Sequence, residues 1–152
     1  MPKVRISVLL LTSALLSAGA ASADFRDRHP HYLHALSDLR AARWMIEHRP
    51  SDPVVSMHEG AAIEQIDAAL RELKVAAIED GKDIRDHTGV DAPPEYRGRL
   101  HRALDLLRGT HADVDREEED PEARGLKFRA LGHIDEAIHQ TEVALHDVER
   151  GR

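Results

Sequence analysis

Ala35-Leu36-x-x-Leu39-Arg40 reads again 68 residues later as Ala103-Leu104-x-x-Leu107-Arg108. At the same unbroken offset Asp52-Pro53 falls on Asp120-Pro121, Ala62-x-x-x-Ile66-Asp67-x-Ala69 falls on Ala130-x-x-x-Ile134-Asp135-x-Ala137, and Val75-Ala76 falls on Val143-Ala144. A repeat that keeps apolar spacing, helix-start residues and one Arg and one Asp in place predicts two copies of one helical hairpin.

Four segments around these matches carry the 3.6-residue period of an amphipathic helix. The first spans about 31–48, with a seam of Tyr32, Leu36, Leu39, Arg43 and Ile46, and stops at Pro50. The second starts near Ser56, whose Ser56-x-x-Glu59 spacing fits a capping box, or alternatively at Asp52-Pro53, and carries Ile63, Ile66, Leu70, Leu73 and Ala77 before Gly81. Residues 82–92 read as the linker between copies. Pro93-Pro94 opens the third helix, with Leu100, Leu104, Leu107, His111 and Val114 on its seam, and the acidic run 115–120 closes it. Asp120 caps the fourth, which continues through Leu131, Ile134, Ile138, Thr141, Leu145 and Val148. Short connections make sequential helices antiparallel neighbours, so the expected fold is all-α, an up-down-up-down four-helix bundle made of two tandem hairpins, about 30–82 and 93–150. Gly98, Gly109, Gly125 and Gly132 fall inside helical pattern, as packing points or as weak spots.

The start of the 152-residue chain reads differently. Lys3 and Arg5, the apolar run from Val8 to Leu16 and the small residues Ala21-Ser22-Ala23 have the order of a secretory signal peptide over 1–23. The run is shorter than the roughly 20 apolar residues a membrane span needs, so no membrane span is expected after cleavage. One exported domain over 24–152 remains, placed in the periplasm or secreted. Its loss of two cations moves the formal charge from −7 to −9, which disfavours nucleic acid as a partner. There is no cysteine, hence no disulfide, no c-type haem attachment and no thiolate ligand. Any metal would be held by nitrogen and oxygen.

Some polar positions recur with the repeat. Arg40 with Asp67, and Arg108 with Asp135, sit at the edge of the seam and are expected to pair across each hairpin as register-setting salt bridges. Arg43 and His111 hold one seam position in the two copies, where a polar group needs a partner or water.

The eleven histidines are the compositional hint of chemistry. In an alternating bundle His29, His31, His34, His87, His101 and His146 would collect at one end, with His139 two turns inward. His31, His34, Asp38 and Met45 form one stripe on the first helix, and Asp135, His139, Glu142 and His146 form another on the fourth. Both stripes point mostly away from the seam, and both offer imidazole beside carboxylate. The candidate metal ligands are therefore His31, His34, Asp38, His101, His139, Glu142 and His146, a nitrogen and oxygen set suited to copper, zinc or nickel. The plainer reading of the same stripes is a solvated polar face.

Other chemistry finds little support. A di-iron site needs two inward Glu-x-x-His motifs, and Glu136-x-x-His139 is single and outward-facing. Met45 on an outer face and Met57 near a helix start do not suit a haem. No nucleophile elbow, zincin motif or phosphate loop occurs, so no catalysis is expected.

The stretch His133-Ile134-Asp135-Glu136-Ala137-Ile138-His139, continuing Glu142-Val143-Ala144-Leu145-His146, resembles the repeats of small periplasmic histidine-rich metal-binding proteins. That resemblance covers the fourth helix, with a looser echo in 62–77. It implies a short helical bundle that binds several divalent metals, with His133, His139 and His146 among the ligands. The family is denser in histidine than this chain, whose second helix has only His58. Together the residues predict an exported bundle that buffers or carries a divalent transition metal. The alternative is a metal-free module that binds a protein partner or self-associates, with Trp44 as its exposed apolar contact.

Overall fold

A computed structural model describes residues 30–48, 55–79, 96–117 and 124–151. The signal segment, His29, His87, the Asp-Pro pairs and the 82–92 linker lie outside them. The described elements are four helices: α1 (Pro30–Glu47), α2 (Met57–Glu79), α3 (Tyr96–Arg116) and α4 (Arg124–Glu149).

Local chemistry sets their ends. Ser56 and Glu59 form the expected capping box: the Glu59 N–H donates to Ser56 Oγ at 3.3 Å and the Ser56 N–H to Glu59 Oε2 at 2.6 Å. At α1 the cap comes from another helix. Glu117, just past α3, accepts the N–H groups of His31 (2.8 Å) and Tyr32 (3.2 Å), donors that a helix start leaves without intrahelical partners. Lys127 closes the matching end of α3, donating from Nζ to the carbonyls of Asp115 (2.8 Å) and Glu117 (2.9 Å). Beyond α4, Gly151 takes φ 74°, the left-handed turn that glycine adopts without steric cost.

The four helices pack around one apolar core, which includes Leu36, Leu39 and Ile46 of α1, Ile66 and Leu73 of α2, Leu100 and Leu107 of α3 and Ile134 of α4. An all-α four-helix bundle built from two hairpins is thus what the chain forms. The order of its helices is not the alternating one. α1 touches α2 and α3, α4 touches α2 and α3, and the pairs α1/α4 and α2/α3 lie on the diagonals.

Directions follow from the cross-links. His34 meets Asp113 while Arg99 meets the carbonyl of His48, so α1 and α3 are antiparallel. His58–Gln140, Gln65–His133 and Glu72–Arg129 set α2 antiparallel to α4, and Arg97–Glu149, Arg108–Glu142 and His111–Asp135 set α3 antiparallel to α4. α2 must then run with α3, giving up-down-down-up. The expected alternation breaks at the connection from residue 79 to residue 96. Its 16 residues extend up to about 55 Å, ample for a bundle about 30 Å long. That connection is long enough to cross from one end to the other.

The repeat is visible as a twofold relation. Gln65 and His133 are counterparts at the 68-residue offset, and His133 Nδ1 donates to Gln65 Oε1 at 2.8 Å. A residue that touches its own counterpart lies on the axis relating the copies.

Two side-chain placements correct the sequence reading, and a third observation decides between its alternatives. Asp67 is met by Arg43 Nε at 2.8 Å and Asp135 by His111 Nε2 at 3.2 Å, whereas Arg108 reaches Glu142 at 2.7 Å. The hairpin register brings the residue one turn after Arg40 to Asp67, and repeats that choice in the second copy. Met45, expected on an outer face, is 1% exposed. A wheel drawn for one neighbour underestimates the buried arc of a helix that has two. Of the two readings of the interior glycines, Gly109 and Gly132 fit the weak spot and not the packing point, since a Cβ on either would meet nothing within 4 Å.

Candidate functional site

Antiparallel packing brings the first turns of α1 against the last turns of α3, at what we call the near end. Four ligand-type side chains converge there. His34 Nδ1 donates to Asp113 Oδ2 at 2.6 Å, and His31 Nδ1, one turn earlier, lies 3.7 Å from the other oxygen of Asp113. Asp38, one turn after His34, is 3.9 Å from the same His34 nitrogen. The i, i+3 and i, i+4 spacings keep the three α1 residues on the edge that faces α3.

The corner has a carboxylate floor and open imidazole walls. The side chains of Asp113 and Asp38 are 15% and 20% exposed, those of His31 and His34 44% and 65%. Asp113's hydrogen bond holds the His34 ring above its ordinary pKa range, partial burial opposes this, and the charges of Asp38 and Asp113 add to it. Burial pushes the Asp38 carboxyl up; Asp113 reinforces the shift, while His34 and Arg102 oppose it. Arg116 Nη1 approaches Asp113 at 3.8 Å, and the capping carboxylate of Glu117 lies one turn beyond Asp113.

Of the seven residues singled out from sequence, His31, His34 and Asp38 meet here. The other four do not. His101 is near the start of α3, about 18 Å of helix rise from Asp113, and its Nδ1 donates to the Arg97 carbonyl at 3.0 Å. His139 and His146 stand exposed two turns apart on α4, and Glu142 is paired with Arg108 at 2.7 Å. Since α1 begins where α4 begins, His146 belongs to the far end. The expected gathering of histidines at one end rested on alternation; among the described residues it is divided, with His31 and His34 at the near end and His101 and His146 at the far end.

Asp113 and Glu117 were missed. Their signal, two carboxylates four residues apart at the end of α3, gains meaning only once α3 is known to run against α1. His133, carried by the resemblance, and His58 hold the α2/α4 seam through Gln65 (2.8 Å) and Gln140 (2.9 Å).

Trp44 is not an exposed apolar strip. Its ring packs against the core, stacks on His48 at 4.4 Å and has the Arg99 guanidinium 5.3 Å from its centroid. The exposed large apolar side chains among the described residues are Met57, Val75 and Phe128.

Among the described residues no group of three or more His, Asp or Glu side chains is already disposed to hold a metal ion. Nor is any described helix long and apolar enough to cross a membrane. No protein-family model, curated protein or solved structure matches the chain.

Proposed function

We propose that this chain is an exported helical protein that binds a divalent transition metal at the corner formed by His31, His34, Asp38 and Asp113. It buffers or carries the ion and performs no chemistry on a substrate. The observation that carries the reading is that two imidazole nitrogens approach the two oxygens of one carboxylate, with a second carboxylate beside them. An ion would take the place of the proton shared by His34 and Asp113, with His31 and Asp38 turning in as further donors. Nitrogen and oxygen donors without thiolate suit Zn²⁺, Cu²⁺ or Ni²⁺. The exposure of both imidazoles leaves coordination positions open to water, as befits a carrier rather than a closed structural site.

Thermal unfolding with Zn²⁺ at pH 7.5 tests this. Metal at a hundred times its Kd stabilises a protein that binds only when folded by about 2.7 kcal/mol, or roughly 10 °C for a chain of this size. His34→Ala and Asp113→Asn should abolish the rise, while His139→Ala and His146→Ala should leave it intact. Protons compete for the same imidazoles, and His34 keeps its proton to higher pH than a free histidine. The gain should therefore begin to fade, as pH falls, while the pH is still above the ordinary histidine value of about 6.5. Absence of a metal-dependent rise, or a rise that survives loss of His34 and Asp113 but not of His139 and His146, would refute the assignment.

A further inference from the structure

The two hairpins dock on each other more broadly than either closes on itself, through α1 on α3 and α2 on α4. We propose that the same docking surface accepts a second copy of this chain. In the resulting hairpin-exchanged dimer, α1–α2 of one molecule closes on α3–α4 of the other, and each corner of His31, His34, Asp38 and Asp113 is assembled from two molecules.

Three observations support this. The hairpins are copies at a fixed offset, and the contact of Gln65 with its counterpart His133 shows that their docking surfaces meet about a twofold axis, the isologous geometry of a closed dimer. The contacts also divide cleanly by origin. Arg43–Asp67, His111–Asp135 and Arg108–Glu142 lie within a hairpin and travel with it. His34–Asp113, the Glu117 cap on His31 and Tyr32, and Glu72–Arg129 lie between hairpins, and exchange reproduces each of them unchanged. Finally, the covalent tie between the hairpins is the connection from residue 79 to 96, which starts at one end of the bundle and finishes at the other. A covalent connection of this length holds its hairpins at an effective concentration on the order of millimolar. Exchange therefore competes when the chain folds at high concentration. None of this depends on the metal reading.

Complementation between two full-length variants tests the proposal. Leu39 and its counterpart Leu107 are fully buried, one in each hairpin. Leu39→Asp and Leu107→Asp each place an unpaired charge in the core, so each variant alone should be a monomer with little helix. Refolded together at about 1 mM, they should form a dimer in which the intact α1–α2 of the Leu107→Asp chain meets the intact α3–α4 of the Leu39→Asp chain. About half of the wild-type helical signal should return. A mixture whose helicity stays at the mean of the separate samples, and whose light scattering stays monomeric, overturns the proposal. If either variant folds alone, deletion of residues 82–91 gives the decision instead. The six connecting residues left span at most about 25 Å, less than the roughly 30 Å length of the bundle. A fully helical dimer supports exchange, and a fully helical monomer overturns it.

Discussion

Glu117 does at the start of α1 what Ser56 and Glu59 do for each other at the start of α2, but from a different helix. Glu117→Ala should destabilise the protein by about 1–3 kcal/mol in urea unfolding, because it leaves two amide donors at α1 without their acceptor. Glu117→Gln keeps an oxygen acceptor and should cost clearly less; equal losses would mean that the cap contributes little. The Ser56–Glu59 box was legible in the sequence because its partners are three residues apart. Glu117 and His31 are separated by 86, and no local pattern marks such a pair. The site shares this limit: His31, His34 and Asp38 lie on one helix and were readable, whereas Asp113 comes from another. A pH effect also belongs at this scale. Arg129, hydrogen-bonded to Glu72, holds the Glu72 carboxyl below its ordinary range, with the nearby cations adding and desolvation opposing. The group therefore adds stability above about pH 4.5 that is lost as pH falls through the depressed native value. Glu72→Gln should flatten the acid limb of the stability curve below about pH 5, by no more than about 1 kcal/mol for so exposed a pair.

At the scale of the element, the sequence located each helix and most of its buried face, because apolar residues at 3.6-residue spacing respond to burial wherever it comes from. The width of that face was harder to read. α1 lies against both α2 and α3, so Met45 joins the core and the stripe through His34 and Asp38 turns toward α3 instead of open solvent. Met45→Ala should cost about 2–4 kcal/mol in urea unfolding, where an outer-face methionine would cost almost nothing. Gly109 and Gly132 give the opposite expectation. Both stand in helix interiors with open space where a Cβ would be, so Gly109→Ala and Gly132→Ala should each raise stability by about 0.5–1 kcal/mol. A loss at either position would show that close packing favours the glycine.

For the whole molecule, the repeat was legible but the way its copies dock was not. A repeat fixes that two hairpins exist; it does not say whether the second stands beside the first or turns over against it. That choice depends on which helix faces match and on how far the connection reaches, and the answer decides which side chains share a corner. In an alternating bundle His34 would neighbour the histidines of the far end; in the observed one it meets Asp113. The functional reading therefore rests on helix direction. A spin-label distance reports it directly, since the chain has no cysteine and labels attach only where one is introduced. Met57→Cys and Arg97→Cys mark the starts of α2 and α3, which flank the end of α4 through His58–Asp147 and Arg97–Glu149. The labels should lie within about 20 Å, the diagonal of four helices packed 8–10 Å apart plus the label arms. A distance beyond about 30 Å, the length of the bundle, would put the two starts at opposite ends and contradict both the docking of the hairpins and the corner built on it.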